Sequence, residues 1–159
     1  MRITLTLAAL LLFGCQSSPE VKKDTAALQS AAGVLVSLER GACFGRCPIY
    51  VVEVRTDGAV HFKGERNVKV TEPVEVKLDA GQLEKLTTRF EQSGFSGWKD
   101  FDDRQVTDQA TVVLTFKGKT VHHYLGDEKA PDELGRLERD VDAIIGTERW
   151  VNGVGTETK

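Results

Sequence analysis

From Val34 onward the apolar residues of this chain recur at every second position, and that period limits the fold more than any other feature. In an extended strand successive side chains point to opposite faces, so alternation builds a sheet with one apolar and one polar face. The pattern predicts a strand over residues 34–38 and a second over 49–55. Between them and the next strand, Thr56-Asp57-Gly58-Ala59 carries an Asp-Gly turn signal that returns the chain into residues 60–63 as a hairpin. A further alternating stretch holds Val68, Val70, Val74, Val76 and Leu78. Pro73 marks it as an edge or a bulge, because proline has no N–H to give a ladder.

The period then changes to three and four. Asp79 and Gln82 stand in capping-box spacing, Leu83, Leu86 and Phe90 follow as one face, and Gly94 is the expected stop. Residues 111–116 and 119–125 read as a second hairpin across Lys117-Gly118. Pro131-Asp132-Glu133 opens a second helix whose Leu134, Leu137, Val141, Ile144 and Ile145 share a face, with Gly146 at its end. The order βββ(β)αββα predicts an α+β domain, an antiparallel sheet of five to six strands with both helices packed on one face. Phe95, Trp98, Phe101 and Trp150 fall just beyond helix ends, where they are expected as lids on the core edge.

Ahead of the domain, Met1-Arg2 supplies one positive charge and residues 3–13 are apolar apart from Thr4 and Thr6. That run is too short to span a bilayer and fits the apolar region of a secretory signal. Its end, Leu12-Phe13-Gly14-Cys15, resembles the lipobox of bacterial lipoproteins, with Phe13 bulkier than the residue usually found there. The resemblance implies removal of residues 1–14 and acylation of Cys15, which makes the lipid bilayer a partner. At about 0.8 kcal/mol per buried methylene, more than one acyl chain gives lasting attachment. The implied setting is the cell envelope. Gln16 stands where aspartate would signal inner-membrane retention, so the outer membrane facing the periplasm is favoured over the inner membrane.

Residues 15–33, polar and rich in alanine and serine, read as the lipidated cysteine and a flexible tether with a reach of about 20–25 Å. Residues 34–151 read as a single domain and 152–159 as a disordered tail. With 40% hydrophobic and 28% charged residues the composition is that of an ordinary globular chain. A net charge of -3 without a basic cluster argues against nucleic acid as a partner.

The chemistry of the sequence concentrates in Cys43-Phe44-Gly45-Arg46-Cys47-Pro48, between the first two strands. In an oxidising compartment two neighbouring cysteines are expected to pair. The bridge needs Cα atoms within about 7 Å, so a turn must form, and Gly45 permits its backbone. So short a loop stabilises by about 2 kcal/mol.

Three functional readings follow. The favoured one is a non-enzymatic binding or structural module with the disulfide as a clasp, since no nucleophile–base–acid set is present. A thiol redox centre is the first alternative, because Arg46 beside a loop cysteine would lower its pKa. Against it, the spacing is one residue longer than that of the Cys-x-x-Cys exchangers and no thioredoxin-like βαβ order surrounds it. A metal site joining Cys43 and Cys47 to His61, His122 or His123 is the second, but the histidines are scattered and adjacent strand residues face opposite ways. Each histidine is therefore expected as a polar surface residue. Asp100, Asp102 and Asp103 resemble a calcium loop, but Arg104 and Gln105 stand where it needs a further oxygen ligand and glycine, so a solvated turn is expected. No catalytic residue, cofactor or metal is assigned, and Arg46 and Tyr50 are read as support for the loop.

The residues Cys43, Gly45, Cys47, Pro48 and Tyr50, in the pattern Cys-x-Gly-x-Cys-Pro-x-Tyr, followed by the Asp57-Gly58 hairpin, resemble the bacterial domain of unknown function 6438. The likeness continues through the Phe95 region, Thr107-Asp108, and Leu134, Leu137 and Glu138, and covers residues 34–151. It implies a fold and an envelope setting, and no activity. The sequence thus predicts a membrane-anchored envelope protein with a small binding or structural domain and an envelope protein as its partner.

Overall fold

The computed structural model describes residues 33–105 and 108–153. The expected signal peptide, Cys15, the expected tether up to residue 32, Thr107 and residues 154–159 lie outside the described residues. Six strands form one antiparallel sheet: β1 (Val34–Arg40), β2 (Ile49–Arg55), β3 (Ala59–Arg66), β4 (Val74–Lys77), β5 (Thr111–Phe116) and β6 (Lys119–Tyr124). Their order across the sheet is β4-β3-β2-β1-β5-β6, so the first strand is an interior one. Two long helices, α1 (Ala80–Ser93) and α2 (Asp132–Ile145), and a short α3 (Glu148–Val151) complete the α+β domain the alternation predicts. None of the described helices is long and apolar enough to cross a membrane.

The register explains the burial. Val36, Leu38 and Arg40 share a face with their partners Val54, Val52 and Tyr50 on β2 and with Phe116, Leu114 and Val112 on β5. That face is covered by Leu86 and Phe90 of α1 and by Leu134, Leu137, Val141 and Ile145 of α2, all fully buried in one core. Phe90 stacks on Phe116 at 4.4 Å and meets Phe95 edge-on at 5.3 Å, the two geometries aromatic quadrupoles favour. The other face carries Ser37, Glu39, Glu53, His61, Lys63 and Thr115 toward solvent. Both helix boundaries follow the predicted signals. Asp79 Oδ1 accepts from Gln82 N at 2.8 Å and Gln82 Oε1 from Asp79 N at 3.1 Å, while Gly94 closes α1 in the left-handed region at φ 83°.

Three details differ from expectation. The alternation over residues 68–78 yields a strand only at β4, because Val68 and Val70 pack against the core edge while Lys69 N and Val70 N donate to the carbonyl of Trp150. This crossing runs so near β3 that a Cβ on Gly64 would collide with the Val70 carbonyl oxygen. Phe95 and Trp150, expected as lids, are core members, and Trp150 lies 4.8 Å from Phe62. Finally, α3 and the 3-10 turn Phe95–Gly97 carry too few residues to show a period.

Candidate functional site

At the end of the sheet where β1 leaves and β2 enters, Cys43 and Cys47 are joined by a disulfide with their Cα atoms 5.8 Å apart. The loop is also pinned from outside. Gly41 N donates to Thr111 O at 2.9 Å, Phe44 N to Asp108 O at 3.0 Å, and Asn67 Nδ2 to Cys47 O at 2.9 Å. Held in this way, Phe44 is 89% exposed at the loop tip. Burying a phenylalanine is worth about 1.5–3 kcal/mol, which this ring forgoes at the loop tip.

Beneath the loop, the last inward position of β1 is a cation. Arg40 Nε and Nη2 donate to Asp142 Oδ2 of α2 at 3.0 and 2.6 Å, and the side chains are 18% and 20% exposed. The Tyr50 hydroxyl accepts from Arg40 Nε at 3.0 Å and donates to Asp142 Oδ1 at 2.7 Å. Thr147 Oγ1 donates to the same Oδ1, also at 2.7 Å. Burial first, and then the neighbouring Asp142 carboxylate, push the Tyr50 phenol well above the ordinary tyrosine range. Burial opposes the Arg40 charge, but Asp142 and Tyr50 outweigh it and the guanidinium pKa is raised.

A groove of about 550 Å³ opens between this cluster and the disulfide loop, within the size range of ligand sites. Its walls are Pro48, Ala110, Val112, Leu125 and Val151, its floor Arg40, Tyr50 and Asp142, and its rim Cys47, Arg139 and Glu148. Leu125 is 43% exposed at the mouth.

Of the residues singled out in the sequence, Cys47, Pro48 and Tyr50 line this groove, and Gly45 lies in the loop at its edge with Cys43. Asp57 and Gly58 belong to the opposite end of β2, where Asp57 Oδ1 accepts from Ala59 N and Gly58 adopts φ 84°; they serve the hairpin turn. The histidines are dispersed. His61 faces Glu75 and His122 faces Asp100, each at 3.3 Å on the exposed side, while His123 points into the helix layer with Nδ1 2.6 Å from Glu138 Oε1. His123 is buried, which corrects its expected surface place: on β6 it has the inward parity of Val121.

Asp102 pairs with Arg104, and Asp103 with Lys129 and Gln105. Among the described residues no group of three or more His, Cys, Asp or Glu side chains is placed to hold a metal ion.

Sequence reasoning missed Arg40, Asp142, Thr147 and Arg139. Arg40 did carry a signal, since it holds the inward parity of Val36 and Leu38, and an inward charge requires a partner. Asp142 gave none, because the pairing spans 102 residues.

Fold and site together define a two-layer α+β module, helices on one face of an antiparallel sheet, with a disulfide-clasped loop over an end groove. Residues 34–145 match the family model described as a domain of unknown function (DUF6438), and the chain belongs to that family. No curated protein matches the chain.

Proposed function

We propose that this chain is a membrane-anchored envelope lipoprotein whose domain is a non-enzymatic binding module, docking an envelope partner at the groove beside the Cys43–Cys47 loop. The observation that carries the docking site is Phe44, held 89% exposed on a pinned loop beside an apolar groove. Rigid aromatic side chains presented at low entropic cost are the usual anchors of interfaces. The polar groups of the floor are engaged with one another, Asp142 taking donors from three residues. They hold shape and charge there: the Tyr50 and Thr147 hydroxyls both donate to the Asp142 carboxylate, and burial beside that carboxylate keeps the Tyr50 phenol protonated. The disulfide fits a clasp, since joined sulfurs offer no thiolate to a substrate or a metal. The anchor rests on Leu12-Phe13-Gly14-Cys15 and, with Gln16, favours the outer membrane facing the periplasm.

Two experiments test this reading. Fatty-acid labelling in cells should mark the wild-type protein and leave Cys15→Ala unlabelled; a labelled, membrane-bound Cys15→Ala protein refutes the anchor. A photoreactive residue at position 44 or 125, introduced in intact envelopes, should give a discrete adduct that one at position 84 on the helix side does not. Equal adducts from all three positions would remove the docking site from this end of the sheet.

A further inference from the structure

We infer that the groove binds a carboxylate carried on an apolar body, recognised by Arg139 and by the free Nη1 amino group of Arg40; the inference rests on this groove being the binding site. Arg40 has five N–H donors in a planar fork. Nε and Nη2 go to Tyr50, Asp142 and, at 3.5 Å, the Glu138 carbonyl, whereas Nη1 donates to none of the described residues. Asp142 cannot answer a cationic ligand in its place, because both its oxygens already accept hydrogen bonds from Arg40, Tyr50 and Thr147.

Arg139 sits one turn before Asp142 on α2, exposed on the groove rim. Its neighbours are all engaged. Arg89 bonds Glu133 at 2.7 Å and Asp140 at 2.6 Å, Arg136 bonds Glu133 at 2.8 Å, and Arg149 donates to Ile145 O while lying 4.3 Å from the Trp150 ring. Arg139 alone of these arginines bonds no carboxylate or carbonyl among the described residues. Two guanidinium groups with free donors therefore border one groove, and a guanidinium fork matches a carboxylate in two parallel hydrogen bonds.

The charge balance selects within the anions. Arg40 and Arg139 are offset by Asp142 and Glu148 on the same lining, so the groove has no excess field for a phosphate or other polyanion. The donors of the two guanidinium groups can pair one carboxylate, and the walls of Pro48, Leu125 and Val151 suit an apolar body behind it. Such a ligand comes either as a peptide carboxyl terminus or as a small organic acid.

Calorimetric titration of the full chain in detergent, with three probes, tests the inference. The probes are N-acetyl-valyl-phenylalanine with a free carboxylate, the same dipeptide as its carboxamide, and hexanoate. The free acid should bind, with the carboxamide weaker by roughly tenfold or more, the loss expected for hydrogen bonds to a charged group. Arg139→Gln, an exposed change that leaves the core untouched, should weaken the acid by a similar factor and the carboxamide little. Hexanoate binding with the same dependence on Arg139 supports a small-acid source; binding of the dipeptide acid alone supports a peptide terminus. Equal affinity for acid and carboxamide, both abolished by Leu125→Arg, overturns carboxylate recognition and leaves the groove as the binding site. Failure of all three probes also overturns it, while the adducts from positions 44 and 125 judge the docking site separately.

Discussion

Replacing Arg40 by Met and Asp142 by Leu, singly and together, should give energies that are far from additive. In the native protein the Asp142 carboxylate receives four hydrogen bonds, two from Arg40 and one each from Tyr50 and Thr147. Asp142→Leu leaves the Arg40 charge 18% exposed without a counter-ion. Breaking a buried pair from one side costs about 3–5 kcal/mol, and residual solvent contact puts this case near 3 kcal/mol. Arg40→Met leaves a carboxylate that keeps two hydroxyl donors, so about 2 kcal/mol is expected. The double variant has no stranded charge; only the Tyr50 and Thr147 hydroxyls lose an acceptor, and both belong to buried residues of the groove lining. Its cost should be about 1–2 kcal/mol, well below the sum of the single changes. Urea unfolding of the four proteins at neutral pH, with a common slope against denaturant, measures the coupling. Additivity within about 0.5 kcal/mol would refute the account of the cluster as one electrostatic unit.

Removing the clasp by Cys43→Ser with Cys47→Ser should lower stability by about 2 kcal/mol and preserve the far-ultraviolet dichroism, since the closed loop is short; loss of the fold would contradict a merely local role. For Tyr50, a folded-state phenol pKa raised above the unfolded value of 10.0 means stabilisation that is complete below pH 10.0 and is lost as the pH rises beyond it. Thermal melts across that range should therefore fall more steeply for the wild type than for Tyr50→Phe, and parallel curves would show that the phenol is not held protonated by the fold.

The elements legible in the sequence are those whose signals are local. The Asp79–Gln82 capping box, the left-handed glycines at 94 and 146, and the inward parity of β2 and β5 each act within a turn or a strand, and each appears where the pattern placed it. Val68 and Val70 misled because their alternation reflects packing against the core edge and carbonyl contacts with Trp150, made without a strand partner. The groove was half legible. Cys47, Pro48 and Tyr50 announced part of its lining, but Arg139, Asp142, Thr147, Glu148 and Val151 come from α2, α3 and the turn between them, about a hundred residues on, and nothing local in Asp142 or Thr147 tells that they meet Arg40 and Tyr50.

The interior place of β1 has a mechanical consequence. The described domain begins at the Val34 end of that strand, and the groove lies beyond Arg40, a separation of about 20 Å at the rise of an extended chain. With the proposed anchor at Cys15, pull from the membrane enters at Val34 and runs along β1. Both neighbours, β2 and β5, are antiparallel to it, and their ladder bonds lie across that direction. The load is then shared by two rows of hydrogen bonds in shear, where an edge strand would unzip one bond at a time. A tether attached there would hold the module by an interior strand and leave the groove at the opposite end of β1.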